Sequence, residues 1–350
     1  MSGIMECVAL VLRMLSDKRM RMDVKALKYA AEGYKSYAWE LCKSVGIDIP
    51  LKSGADIEEI MRENEIRNRV FLEHVLDFLT GEGVLEYRNG KYVLVNEPKG
   101  FDGSAGHRFL KKYYPNSVEW TNVLRKKSKK TLMTGRKDFS AGFDHKRFLM
   151  LWEGIMKESP WSFRRMAIQK FSKKISDGAD ILDLGCGSGV STEQILLECR
   201  KPVRITGMDQ SETSLKRARK RIEDMKTGIK DPVLKGNLER IRLEKHNVLQ
   251  GVPTRKKYDV IFMSLLLNHV PPERRRGFFI NVKKMLKENG AVVVYQIIHQ
   301  SRFRRAPMWV MHAVPTHRDY PFRDDYLNML HEVFGEAKPY LGGTIVVCSK

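Results

Sequence analysis

Hydrophobic and polar positions change their period along this chain, and the change divides it. In the first hundred residues apolar positions recur at helical spacing. They predict helices over 6–16 and 24–45 and another opening at Asp56, whose carboxylate suits an N-cap. From Arg67 to Leu79, Val70, Phe71, His74, Val75, Phe78 and Leu79 keep the same spacing. The period then shortens to that of strands. Val84 to Val95 is a pair of β-rich runs hinged on Asn89-Gly90, a strong two-residue hairpin signal. Helices followed by a hairpin predict a winged helix over 1–97. Residues 98–160 read as a basic, aromatic connector, with the block Arg125 to Lys137 as a loop and a helical stripe from Phe148 through Met156. That stripe suits either a pocket lining or plain core.

From 161 to 350 strands and helices alternate. The segments are 180–184, 190–199, 203–208, 212–226, 241–247, 258–263, 273–287, 291–298, 324–333 and 344–348. Such alternation predicts an α/β fold, a doubly wound Rossmann-like sheet with helices on both faces.

Composition narrows the class. At 350 residues the chain has room for two domains. No apolar run approaches the ~18–20 residues that span a bilayer, so no membrane partner is expected. Five scattered cysteines, without metal-ligand spacing, suit a reducing cytoplasm and predict neither a disulfide frame nor a metal site. The net charge of +21 raises RNA or an acidic protein as a partner. Its distribution tempers that reading. Residues 1–100 hold 15 Lys and Arg against 16 Asp and Glu, so the predicted winged helix is neutral. A packing or dimerisation role suits it better than DNA binding, which needs a basic surface.

Candidate chemistry centres on Asp180-Ile-Leu-Asp-Leu-Gly-Cys-Gly-Ser-Gly189. An aliphatic run ending in glycine at every second position reads as a buried strand feeding a tight turn, and Val190 onward starts a helix. Arg204-Ile-Thr-Gly-Met-Asp209 follows about twenty residues later, where a nucleotide fold places a carboxylate for ribose hydroxyls. No Lys-Ser/Thr follows the glycines, which excludes a P-loop.

Asp-Leu-Gly-Cys-Gly-Ser-Gly resembles motif I of the class I S-adenosylmethionine (SAM) methyltransferases, and Gly-Met-Asp resembles their motif II. A winged helix ahead of such a domain resembles the plant-type O-methyltransferases and the bacterial tetrapyrrole and carotenoid methyltransferases. The resemblance implies SAM as cofactor, a homodimer through the N-terminal module, and a reversed edge strand at Gly342 to Cys348. It implies that Gly185, Gly187 and Gly189 let the backbone approach the ligand, with Cys186 a small structural residue between them. Asp183 would receive the methionine amino group or order the loop. Asp209 would grip the ribose, with Met208 and Gln210 flanking the adenine. Asn247 stands where the family often has an acid for the adenine amino group, and Val248 and Ser264 complete the cofactor set.

Tyr258 to His269 resembles motif IV, whose loop faces the methyl group. The plant-type family has a general-base His there, followed by Asp-Trp. In this chain Asn268 occupies that position and His269 comes one residue later. His269 is either the base, its pKa suiting proton removal near neutrality, or a structural residue of the loop. Without a base, a C-, N- or S-acceptor that is already nucleophilic is favoured over an alcohol. The segment Gln300 to Phe322 holds Arg304, Arg305, Trp309, Met311, His312, His317, Arg318 and Tyr320. In this fold it commonly covers the acceptor; it also reads as an irregular surface loop. The expected function is methyl transfer to a small aromatic or anionic metabolite. The rivals are methylation of RNA or a protein, and a winged-helix regulator that senses SAM.

Overall fold

Helical stripes and short β-rich runs sort this chain into two units in a computed structural model, which describes residues 16–137, 145–158, 160–251 and 256–350. One unit takes the described residues of Met1–Ser159 together with His299–Arg318; the other takes Pro160–Ile298 and Asp319–Lys350.

In the first unit, α1 (Lys18–Ser44) starts at Asp17, whose carboxylate caps the amides of Arg19 and Met20. It begins earlier than the predicted 24; the helix expected over 6–16 lies outside the described residues save for Ser16. After α2 (Asp48–Ser53) comes α3 (Ile57–Glu63), capped by Asp56 as its sequence predicts, with Glu59 N–H donating at 2.8 Å. Helix α4 (Arg69–Gly81) has Phe71, Leu72 and the run His74 to Leu79 buried. Strands β1 (Leu85–Arg88) and β2 (Lys91–Leu94) pair antiparallel about Asn89-Gly90, with φ of 50° and 82°. Two positive φ values in succession are what a type I′ turn requires.

The connector departs from expectation. It contains α5 (Ala105–Tyr113), α6 (Pro115–Thr134) and α7 (His145–Lys157). The basic block expected as a loop is helical over Arg125 to Thr134 and ends on Gly135 at φ 70°. Lysine and arginine are good helix formers, Pro115 sits at the permissive first turn, and a left-handed glycine ends the helix. Buried Trp120 and Leu124 anchor the inner face of α6.

The segment His299–Arg318 also departs from the reading as a surface loop. Its short 3-10 helix Trp309–Ala313 is buried throughout. Trp309 Nε1 donates to Tyr34 O at 3.0 Å, and Phe71 stacks on its ring. Arg305 Nη2 reaches buried Asp77 at 2.7 Å, and Tyr92 donates its hydroxyl to the same carboxylate at 2.7 Å. His312 Nε2 lies 2.9 Å from His74 Nδ1. Arg305, Trp309 and His312 of that segment thus make these contacts inside the first unit.

The second unit opens with α8 (Pro160–Ser172) and builds a seven-stranded sheet. Its elements in order are β3 (Ala179–Leu184), α9 (Val190–Glu198), β4 (Val203–Asp209), α10 (Glu212–Lys226), α11 (Pro232–Glu239), β5 (Arg242–Lys245), β6 (Tyr258–Ser264), α12 (Arg275–Lys284), β7 (Leu286–Tyr295), α13 (Arg323–Phe334), β8 (Glu336–Tyr340) and β9 (Ile345–Ser349). The strand order is β5-β4-β3-β6-β7-β9-β8, parallel from β5 to β7. The predicted α/β doubly wound fold is the one observed. The last strand is reversed against β7 but is not the edge: β8 pairs outside it. Glu336, Lys338 and Pro339 hid β8 from a hydrophobic reading, and charge and proline are what an edge strand tolerates.

An apolar cluster holds one face of the sheet, from Leu182, Ile261 and Val292 on the strands to Phe279, Leu330 and Phe334 on α12 and α13. At the N-terminal ends of β3 and β6, Asp180 accepts both arms of Arg204 at 2.8 and 2.9 Å and lies near Lys256 and Lys287. This network lies at the opposite edge from the glycine loop.

Candidate functional site

Strand order reverses between β3 and β6, since β4 and β5 extend one way and β6 and β7 the other. Crevices at such a switch point, at the carboxyl ends of parallel strands, are where open α/β sheets bind ligands. Register places the candidate residues there. Leu184 pairs with Met208 on β4 and Met263 on β6, Ser264 pairs with Tyr295, and Asp209 pairs with Lys245. The glycine loop, Asp209, Asn247 and the loop from Ser264 to His269 therefore leave neighbouring strands on one edge.

The glycine loop is held by the sheet itself. Gly185 and Cys186 donate to Met208 O at 2.8 and 3.1 Å. Gly185, Gly187 and Gly189 have φ of 74°, 54° and 80°. A Cβ at Gly185 would meet Leu266 Cδ1 at 2.8 Å and one at Gly189 would meet Ala218 Cβ at 3.0 Å, whereas one at Gly187 meets nothing within 4 Å. The outer glycines serve close packing; the central one borders open space where a ligand can lie against bare backbone. Cys186 is buried, burial holds its thiol well above the usual range, and its sulfur would lie 3.1 Å from a Cβ at Gly207. It is a spacer. Gly207, the glycine of the Gly-Met-Asp run, is needed for the same contact.

Asp183 is wholly buried. Its Oδ2 accepts from Ser191 and Thr192 hydroxyls at 2.7 and 2.6 Å, and its Oδ1 has no hydrogen-bond partner among the described residues. Burial pushes its carboxyl up to about 6, against the pull of those two hydroxyls and of Arg164. An unpartnered buried carboxylate oxygen is costly and calls for a donor. Asp209 is held by its neighbours: Oδ2 accepts from Gly187 N–H at 3.0 Å and Oδ1 from Ser211 N–H at 2.8 Å. Burial raises its pKa and these amides oppose the rise. Each oxygen keeps a second lone pair for a hydroxyl.

Other members divide. Gln210 is exposed beside Asp209, but Met208 is completely buried in the apolar cluster, so its side chain packs the core and does not flank a ligand. Asn247 uses Oδ1 to cap Leu249 N–H at 3.0 Å, leaving the second lone pair of that oxygen, and Val248 opens the 3-10 turn Val248–Gln250. Ser264 ends β6 and accepts from Arg164 Nε at 3.0 Å. Arg164, from α8, is buried, and burial draws its guanidinium below the usual range. Beyond Ser264, Leu265 takes φ 54°, a strained value for a branched side chain, and Leu267–His269 forms a 3-10 turn. Asn268 is buried and its Nδ2 lies 3.2 Å from His269 Nε2. Gln296, just past β7, is buried against both this turn and Asn268. Sequence reasoning missed Arg164 and Gln296. Gln296 is a polar residue in an apolar run, which was its signal, whereas Arg164 stands beside Arg165 in a mixed helix and carried none.

Residues 181–290 match a family described as a methyltransferase domain. A ubiquinone biosynthesis O-methyltransferase, mitochondrial, from Schizosaccharomyces pombe is 32% identical over 34% of this chain and 38% of its own length. A ribosomal protein L11 methyltransferase from Dictyoglomus turgidum is 25% identical over 39% of this chain and 38% of its own. The chain thus spans about two fifths of the length of these relatives. Among solved structures, the CurJ carbon methyltransferase superposes with a TM-score of 0.65 at 14% identity, covering 99% of this chain and 97% of that one. An O-methyltransferase family 2 protein from Planctomyces limnophilus, in complex with apigenin, gives 0.54 at 15% identity, covering 95% and 96%. At such identities the likeness shows the fold.

Proposed function

We propose that this chain, whose residues 181–290 form a class I SAM-dependent methyltransferase domain, transfers a methyl group to a small aromatic or anionic metabolite. The observation that supports this most directly is Asp183, a buried carboxylate with an unpartnered oxygen beneath a glycine loop at the sheet's switch point. The residues fit SAM: a cationic amino group answers Asp183, vicinal hydroxyls answer Asp209, and Gly187 leaves the backbone bare.

When bound, SAM supplies a methyl group made electrophilic by its sulfonium. The protein's task is to align the two reactants and exclude water. Gly185 to Gly189 and Asp209 would hold the donor, and the turn Leu267–His269 would face the acceptor. Ser264, held by Arg164, fixes where β6 ends and so where that turn begins. Names among the relatives favour an aromatic metabolite, since one acts in ubiquinone biosynthesis. In this reading residues 1–97 are a winged-helix module that dimerises the enzyme, and the protein works in the cytoplasm.

Titration with SAM tests the donor site. Asp209→Ala and Gly187→Val should each weaken binding by 100-fold or more, about 3 kcal/mol; unchanged affinity in both sinks the assignment. Labelled SAM, added with the protein to a lysate fractionated into small molecules, RNA and protein, tests the acceptor. Label in the small-molecule pool supports the proposal. A second reading, methylation of a macromolecule, draws on the exposed Lys126, Lys129 and Lys130 of α6 and on the relative that acts on ribosomal protein L11. Label in RNA or in one protein band would favour it instead. The SAM-sensing regulator finds little support in α4, where Arg69 is paired with Glu73 and Glu58.

A further inference from the structure

Gln296 has the only orientation its neighbours allow. It is completely buried. Its Oε1 lies 3.0 Å from Leu267 N, a group that can only donate. Its Nε2 lies 3.1 Å from Ile297 O, a group that can only accept. Two independent backbone contacts thus distinguish oxygen from nitrogen in an amide that is otherwise easily reversed.

That orientation propagates. Gln296 Nε2 is 3.3 Å from Asn268 Oδ1, so Asn268 is fixed with its oxygen toward Gln296. Its Nδ2 then points its hydrogen at His269 Nε2, 3.2 Å away. A nitrogen that receives a hydrogen bond holds a lone pair and no proton. Neutral His269 therefore carries its hydrogen on Nδ1.

We infer that Gln296 is a positioning residue that, through Asn268, fixes His269 in the Nδ1–H tautomer with its Nε2 lone pair already engaged. The inference rests on the reading that this turn faces the methyl acceptor, and it deepens that reading. Nε2 of His269 cannot take a proton from the acceptor without breaking the relay. The acceptor this loop serves is then an atom that is nucleophilic on arrival, such as a phenolate oxygen or an enolate oxygen or carbon. Its own electron pair forms the new bond to the methyl carbon, the thioether leaves with the pair of the broken sulfur–carbon bond, and no proton passes to Nε2. Where the plant-type pattern has its base His, this chain has Asn268, and that amide donates to the one histidine next to it.

The test uses full-length, ligand-free protein labelled with 15N-histidine. Long-range proton–nitrogen spectra at about pH 8, above the usual histidine range, report which ring nitrogen is protonated. The His269 signals are identified by their loss in His269→Gln. Wild type should show the Nδ1–H pattern. Gln296→Met, similar in shape but without the amide, should give a mixture of tautomers. Asn268→Asp keeps an acceptor toward Gln296 and presents a second acceptor to His269, so Nε2 should become protonated. An Nε2–H pattern in wild type overturns the inference. So does a folded Gln296→Met whose His269 signals match wild type. Should Gln296→Met fail to fold, Asn268→Asp decides: protonated Nε2 supports the relay and an unchanged Nδ1–H pattern refutes it. None of these readouts requires bound SAM, so the tautomer stands or falls separately from the proposed activity.

Discussion

Asp183→Asn should stabilise the ligand-free protein while disabling it. The carboxyl is wholly buried and pushed up to about 6 from its ordinary 3.8. Above neutrality the folded state therefore holds a carboxylate that the unfolded state ionises more readily. A shift of about two units costs about 3 kcal/mol once both states are ionised. The sign follows from proton counts. Between about pH 4 and 6 the folded state binds more protons than the unfolded, so stability falls as pH rises through that window and levels off above it. Asparagine removes the charge and keeps an oxygen for Ser191 and Thr192, but leaves an amide N–H unsatisfied at about 1–3 kcal/mol. The charge term is the larger or equal one, so the variant should gain about 1 kcal/mol at pH 7.5. Between pH 5 and 7.5 wild type should lose about 1.4 kcal/mol that the variant does not. Urea unfolding at both pH values, without SAM, measures this, and calorimetric titration should show SAM affinity reduced at least 100-fold. A variant less stable than wild type at pH 7.5, with the same pH slope as wild type, would refute the argument that Asp183 is a strained carboxylate awaiting a cationic ligand.

Other parts of the molecule give separate tests. Gly185→Ala places a Cβ 2.8 Å from Leu266 at φ 74°; it should cost about 1–2 kcal/mol in thermal unfolding and weaken SAM binding by displacing the loop. Asp180→Asn strips the carboxylate from Arg204, Lys256 and Lys287 and should cost about 1–3 kcal/mol at neutral pH. Here the sign is opposite to that of Asp183. Hydrogen bonds from Arg204 and Lys287 hold this carboxyl well below the usual range, so its stabilisation is complete above about pH 4 and disappears as pH falls further. Variant and wild type should converge in acid, and parallel pH curves would disprove it. Trp309→Ala removes a buried ring that donates to Tyr34 O and stacks on Phe71. It should cost about 3–5 kcal/mol, read as early loss of hydrogen-exchange protection in α1 and α4; unaltered protection would show the segment to be peripheral.

Sequence alone determined the elements whose signals are local. Alternating strands and helices gave the doubly wound sheet, Asn89-Gly90 the hairpin, and Asp56 its cap, because period, turn conformation and capping depend on residues a few positions apart. The glycine loop and Asp209 were legible for the same reason: positive φ and a strand-end acid are written in neighbouring residues. Even α11 carried a local signal in Asp231-Pro232 that the reading passed over. Other features required the tertiary structure. Arg125 to Thr134 and β8 look like loop because charge and proline obscure the period, and pairing or packing overrides that composition. That residues 299–318 pack on Asp77, Tyr34 and Phe71, more than 200 positions away, had no local signal. The candidate site followed the same division. The sequence located Asp183, Asn268 and His269, but whether Asp183 Oδ1 has a partner, or which nitrogen of His269 bears hydrogen, depends on atoms brought from distant strands. Local sequence sets the conformation of a segment, whereas protonation and hydrogen-bond direction are set by whatever the fold places against it.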